Sequence, residues 1–253
     1  MSVLKNWLQK LVRASGKHGY TCDSCGEELF DYPTRRICNA CENRIEKNGK
    51  DVCDKCGRKT ISGGVCTTCK ALMPRFTCGI SPLVYRADTA ALVNRIKNGD
   101  RRLAFYFAEQ MTAAFLRRFA VAGVDFERNL LLVPVPLTDK KRKARGYNQA
   151  ETLAISVADV LAEKGIPVAV DSCVLQKKRE TEQQKNLGVS ARAENAVGAY
   201  HLHKRKVCEG KTILLIDDIL TTGATGSACA KLLLNAGAKE VILLTVASLP
   251  ERK

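Results

Sequence analysis

Residues 212 to 225 read Thr-Ile-Leu-Leu-Ile-Asp-Asp-Ile-Leu-Thr-Thr-Gly-Ala-Thr, and no other stretch limits the fold of this chain so tightly. The run from Thr212 to Ile216 is uninterrupted by charge, which predicts a strand buried on both faces. Two carboxylates, Asp217 and Asp218, close it. There they can accept hydrogen bonds from a vicinal diol and stand near a divalent cation. The small-residue loop Thr221-Thr222-Gly223-Ala224-Thr225 then leads into an apolar helix from Ser227 to Ala236. Such a loop turns successive main-chain N–H groups toward an anion, and the helix adds its positive end. Thr221, Thr222 and Thr225 offer hydroxyl donors to the same anion, while Gly223 lets the backbone approach without a Cβ in the way. The chemistry expected is therefore a phosphate held beside a sugar diol.

The surrounding pattern supplies the sheet. Leu130 to Pro136, Val168 to Leu175, Thr212 to Asp217 and Val241 to Ala247 read as strands. Helical spacing covers Ala90 to Phe119, interrupted at Gly99 and Asp100, and Gln149 to Lys164. Strands alternating with helices predict right-handed βαβ units and an α/β fold with a parallel sheet covered on both faces. In such sheets ligands collect at the carboxyl ends of the strands. The basic run Lys140, Lys141, Arg142, Lys143 and Arg145, followed by Gly146-Tyr147-Asn148-Gln149, should then face the same crevice as Asp217, although a basic run alone is more often a solvated face. Lys177 to Gln184 is polar throughout and reads either as a mobile loop closing over a substrate, with Arg179 and Gln183 or Gln184 in contact, or as a solvated linker.

The amino-terminal part follows other rules. Nine of the twelve cysteines lie in the first 78 residues, where long apolar runs are scarce, so this segment needs a staple other than a core. Four C-x-x-C pairs stand out: Cys22 with Cys25, Cys38 with Cys41, Cys53 with Cys56, and Cys66 with Cys69. Two intervening residues let both sulfurs of a tight turn reach one cation, and Gly26 and Gly57 follow where a knuckle favours positive φ. Eight thiolates suit two structural zinc ions. Disulfides, iron–sulfur ligation and redox thiols are the alternatives. Sequential pairing, the first four cysteines at one ion and the last four at a second, is the economical arrangement; a crossed pairing is the other. Cys78, Cys173, Cys208 and Cys229 are expected to pack as small apolar residues.

Met1 to Ser15 carries Leu4, Trp7, Leu8, Leu11 and Val12 at helical spacing among basic residues, without the apolar segment of a secretion signal. It reads as an amphipathic helix packing on the rest of the protein, with a membrane-surface or partner-binding helix as the alternative. No stretch approaches the ~20 apolar residues of a membrane span. The formal charge of +15 raises the prior for polyanionic partners. With aromatic residues at only 6%, single-stranded DNA would be held through phosphates more than by stacking. His18, His201 and His203 sit in polar contexts and read as incidental, so no residue identifies itself as a catalytic base.

The strand, Asp-Asp, Thr-Thr-Gly-Ala-Thr, helix order resembles the phosphoribosyl pyrophosphate (PRPP) signature of type I phosphoribosyltransferases. Over nearly its whole length the chain is similar to the ComF family. The likeness rests on the C-x-x-C pairs, Tyr85, Leu92 and Lys97-Asn98-Gly99, Val133-Pro134-Val135-Pro136, Arg145-Gly146-Tyr147-Asn148-Gln149, Arg179, Thr181, Gln184, Arg192, Asn195 and Gly198. After the amphipathic helix over residues 1–19, the resemblance implies a zinc-ribbon module, here double over 20–75, and a phosphoribosyltransferase-like domain over 76–253. It places PRPP, with magnesium, at Asp217, Asp218 and Thr221 to Thr225, and a pyrophosphate contact near Arg145. A cytoplasmic protein handling single-stranded DNA during natural transformation is implied, with a ComFA-type helicase as partner. The alternative is an active phosphoribosyltransferase of nucleotide metabolism with an unidentified acceptor.

Overall fold

A computed structural model describes residues 21–32, 34–61, 63–120, 129–178 and 198–251. The amphipathic segment at the amino terminus and the stretch from Arg179 to Gln184 lie outside the described residues. Two compact units divide at Ile45 and Glu46, so the second group of cysteines belongs with the α/β body.

Among the described residues, the first unit holds a cysteine knuckle followed by a short helix, α1 (Asn39–Arg44). In the second unit the same pattern returns and ends in α2 (Thr67–Leu72). The strands and helices that follow are β1 (Cys78–Ile80), β2 (Leu83–Val84), α3 (Ala87–Lys97), α4 (Leu103–Ala120), β3 (Leu130–Pro134), α5 (Asp139–Arg145), α6 (Gln149–Glu163), β4 (Ala169–Val170), β5 (Leu175–Lys177), β6 (Tyr200–Leu202), β7 (Thr212–Leu220), α7 (Ala224–Asn235) and β8 (Glu240–Ser248). The main sheet has the order β1-β8-β7-β3-β4, with β2 also on β8, and every pairing in it is parallel. The expected parallel α/β sheet is present. The antiparallel pair β5 and β6 forms a separate ribbon.

Alternation along the strands assigns the two faces. Leu131, Val133, Ile213, Leu215, Val241 and Leu243 share one core with Cys229, Ala230 and Leu233 of α7 and with Cys53, Cys56, Cys66 and Cys69. The intervening residues Leu132, Leu214, Ile216, Ile242 and Leu244 are equally buried, and α4 and α6 pack together and against the sheet. Both faces being covered explains the uninterrupted apolar strands.

Two strands differ from the sequence expectation. The stretch Val168 to Leu175 is not one strand: β4 pairs with β3 over only two residues, and a turn at Asp171 to Cys173 redirects the chain into the ribbon. There the Asp171 carboxylate accepts from the Cys173 N–H at 2.9 Å. Cys173 is consequently exposed rather than packed, while Cys208 and Cys229 are buried as expected. The strand expected to end at Asp217 runs on to Leu220, because main-chain pairing with β8 continues through Asp217 opposite Thr245 and Leu220 opposite Ser248.

Candidate functional site

The acids stand where β3 leaves the sheet. β3 pairs with β7 only as far as Pro134 opposite Ile216, so β7 carries Asp217 and Asp218 past its neighbour and opens that side. The Asp218 N–H donates to the Asp217 Oδ1 at 2.9 Å. Burial, reinforced by the neighbouring Asp218 charge, pushes the Asp217 carboxyl far above the ordinary carboxylate range. Asp218 is tied down by two residues distant in sequence: Lys97 Nζ lies 3.1 Å from its Oδ2 and Gln149 Nε2 donates to the same oxygen at 3.2 Å.

Those partners come from the termini of two helices. Lys97 ends α3, and the turn after it is held by the Gly99 N–H donating to the Tyr147 hydroxyl at 3.0 Å. The Arg101 guanidinium stacks over the same ring, 4.4 Å from its centroid. Asn148 caps α6 by accepting from the Ala150 N–H at 3.1 Å and donates from Nδ2 to the Val135 carbonyl at 3.0 Å. This cap fixes Gln149 over the sheet edge. Arg145 donates to Gln149 Oε1, so it joins the acids through one intervening side chain. Lys97-Asn98-Gly99 and Arg145 to Gln149 thus meet around one carboxylate.

Beyond the acids, the loop at Thr221 to Thr225 turns into α7. Gly223 sits at φ +81, the left-handed region, with Phe76 ring atoms 3.5 and 3.6 Å from where a Cβ would stand. Thr222 is nearly buried, and its hydroxyl accepts from the Ala224 N–H at 3.3 Å, starting the helix. The first N–H groups of a helix have no intrahelical acceptor, so an anion at this end meets both those donors and the helix dipole. Tyr200 of β6 is buried beside α7, and burial raises its phenol, with the Cys229 and Asp217 charges in the same direction.

The basic residues divide between two places. Lys140 and Arg142 line a cleft of about 490 Å³ with Lys177, Lys178 and His201, facing Asp139 and Glu151. Asp217 and the Thr221 to Thr225 loop are not among its walls, whereas Arg145, at the far end of α5, is linked to Asp218 through Gln149. His201 is held by Gln176 at 3.0 Å.

The sulfurs of Cys22, Cys25, Cys38 and Cys41 lie within 4.8 Å of one another, as do those of Cys53, Cys56, Cys66 and Cys69. Cys25 and Cys38 are 3.8 Å apart, and so are Cys56 and Cys66. Four thiolates at about 2.3 Å from a tetrahedral ion would be separated by about 3.8 Å, so both sets fit one ion each. The two knuckles repeat in detail. Thr21 bridges Glu28 as Val52 bridges Lys59. Gly26 and Gly57 have φ of +81 and +71. The Cys38 N–H donates to Cys22 Sγ and the Cys66 N–H to Cys53 Sγ, each at 3.2 Å. The sets differ in burial: Cys25 is exposed, whereas the four sulfurs of the second set are all buried. Cys56 is held at about 5 by hydrogen bonding with Cys69, against burial and with help from the Arg58 charge. Four protein ligands leave no position for water, which makes each site one that would hold a structural ion.

These features define a class of protein. Residues 146–253 match the phosphoribosyl transferase domain, and the parallel sheet with its acid pair and small-residue loop belongs to that type of fold. The chain is a homologue of curated proteins of two names. It is 26% identical to Competence protein ComFC of Bacillus subtilis (strain 168) over 212 residues, 81% of this chain and 80% of that protein. It is 26% identical to DNA utilization protein YhgH of Escherichia coli (strain K12) over 207 residues, 81% of this chain and 87% of that protein. Competence protein ComFC of Streptococcus pneumoniae is 29% identical over 209 residues, with 81% and 84% covered. The resemblance drawn from the motifs is matched by relatives of that name.

The raised Asp217 carboxyl has a consequence for stability. A folded-state value above the unfolded one means that the folded protein binds the proton more tightly. Stability is then greatest below the unfolded value near pH 4 and declines as pH rises toward the folded value. Asp217→Asn removes that penalty. At pH 8 the variant is expected to melt higher than the parent by about 3–10 °C, and the gap should close as the pH approaches 4 in a calorimetric pH series.

Proposed function

We propose that this chain binds PRPP or a related phosphoribosyl ligand and takes part in handling single-stranded DNA during natural transformation. The observation that carries the reading is the placement of Asp217 and Asp218 at the open side of β7, immediately before a glycine-containing turn that presents a helix amino terminus. On this reading the two carboxylates accept from the ribose hydroxyls, Thr221 to Thr225 cradle the 5′-phosphate, and Arg145 reaches the pyrophosphate. Magnesium, when bound with the pyrophosphate, supplies charge neutralisation there. Each cysteine set holds one structural zinc ion. The names of the relatives supply the DNA context, and the +15 charge and the lysines of the cleft fit a polyanion. No helix among the described residues is long and apolar enough to cross a membrane, which fits the cytoplasmic location proposed with a ComFA-type helicase as partner.

A catalytic version of this reading is favoured by the cleft beside β5 and β6, which offers an acceptor room near the basic run of α5. Purified protein with PRPP, magnesium and a panel of bases separates the two. Pyrophosphate release that disappears in Asp217→Asn identifies a phosphoribosyltransferase, whereas PRPP binding without release identifies a binding protein. Single-stranded DNA retention should fall with salt at a log–log slope of about −0.7 for each phosphate contact. No retention even at low salt would remove the DNA part of the proposal.

A further inference from the structure

Arg58 lies within the second knuckle, two residues after Cys56, is 5% exposed, and bridges two places that are remote in sequence. Its Nε donates to Cys56 Sγ at 3.3 Å, and its terminal NH2 group donates to the Thr221 carbonyl at 2.5 Å. One guanidinium therefore links a sulfur of the cysteine set to the first residue of the phosphate loop. We propose that Arg58 is a positioning residue for phosphate binding, tying the loop at Thr221 to Thr225 to the second cysteine set.

Three physical points support it. Peptide units are planar and almost always trans, so holding the Thr221 carbonyl toward Arg58 aims the Thr222 N–H the opposite way, away from the knuckle. A site that grips phosphate by main-chain amides depends on such orientation, since a turned peptide would present its carbonyl to the anion instead. Four thiolates around a divalent ion also carry net negative charge, which would repel a phosphate only one guanidinium away; the Arg58 cation offsets it. The rest of the knuckle's exit supports the same turn: the Arg75 N–H donates to Ser227 Oγ at 3.0 Å, and Phe76 lies under Gly223. The planar fork of arginine is what allows both contacts at once, and lysine, a single point charge, cannot reproduce them.

The inference rests on the proposed phosphoribosyl reading, and its test separates the two. Full-length, metal-loaded parent, Arg58→Met and Arg58→Lys are titrated calorimetrically with inorganic phosphate, ribose 5-phosphate and PRPP with magnesium, alongside elemental analysis. Arg58→Met is expected to raise Kd about 10-fold or more for all three ligands, as loss of a charged hydrogen bond predicts, with the binding stoichiometry and metal content unchanged. Arg58→Lys should fall between the two. A merely structural loss would instead lower stoichiometry and metal content while leaving the Kd of the remaining folded protein intact, and would overturn the proposal. Unchanged affinity in Arg58→Lys would overturn it too, even if Arg58→Met failed to fold. A parent that bound inorganic phosphate but not PRPP would sink the functional reading while leaving the Arg58 comparison decided by phosphate alone; a parent that bound neither would end both.

Discussion

Cys56→Ser is expected to abolish cooperative folding of residues 46–253, whereas Cys25→Ser should leave their unfolding transition in place. The difference follows from where each sulfur sits. Cys56 is 1% exposed and shares a core with Leu131, Ile213, Val241 and Leu243 of the sheet and Leu233 of α7. A structural zinc site contributes about 10–16 kcal/mol of apparent folding energy, comparable to or above the total stability of about 5–15 kcal/mol that a domain has to lose. Removing one of four buried ligands also strands the Arg58 cation beside its remaining partners. Cys25 is exposed and lies in the separate unit that ends at Ile45. Differential scanning calorimetry with elemental analysis should find one metal equivalent lost from each variant, but a transition only in Cys25→Ser. A normal melting profile for Cys56→Ser would contradict the placement of the second cysteine set in the core.

The junction between that knuckle and the sheet should be nearly as sensitive. A Cβ added at Gly57 would stand 2.4 Å from the Gly79 carbonyl oxygen, and one at Gly79 would stand 2.6 Å from the Cys56 carbonyl oxygen. Both obstacles are main chain and cannot rotate away. The backbones approach because the Gly79 N–H donates to the Lys55 carbonyl at 2.8 Å, which adds the knuckle to β1 without side chains between them. Gly57 bears the further cost of positive φ, about 1–2 kcal/mol for an L side chain, on top of about 1–3 kcal/mol for overpacking. Gly57→Ala should therefore melt roughly 6–20 °C below the parent. Gly63→Ala is the control: Gly63 also has positive φ, at +74, but open space around it, so only the smaller conformational cost applies. Equal shifts in the two variants would show that close approach contributes nothing.

Much of the α/β body was legible because its determinants are local. Leu130 to Val133 of β3, Ile213 to Ile216 of β7 and Val241 to Leu244 of β8 are continuous apolar runs, and the loop after β7 carries its chemistry in consecutive residues. The end of β7 was not legible. Asp217 and Asp218 break the apolar pattern that marks a strand, yet the pairing past them is between main-chain groups that a side-chain pattern does not report. Lys97 and Gln149 were visible only as parts of motifs; their common target, Asp218, lies 121 and 69 positions away in the chain, and spacing carries no information at that range. The two sets of four cysteines could be grouped by proximity in sequence, with crossed pairing left open, and the sulfur positions group them sequentially. Arg58 gave no signal beyond following a glycine, because its role depends on a carbonyl 163 residues distant.

Calorimetric titration of the full chain with PRPP and magnesium tests the account most directly. One saturable site per chain is expected, with affinity reduced about 100-fold or more when Asp217→Asn and Asp218→Asn are combined, since both carboxyl groups proposed to hold the sugar diol are then replaced by amides. The melting profile should confirm that the double variant is still folded. No heat with the parent protein, or the same affinity in the double variant, would contradict the assignment of this turn and its two acids as a phosphoribosyl site.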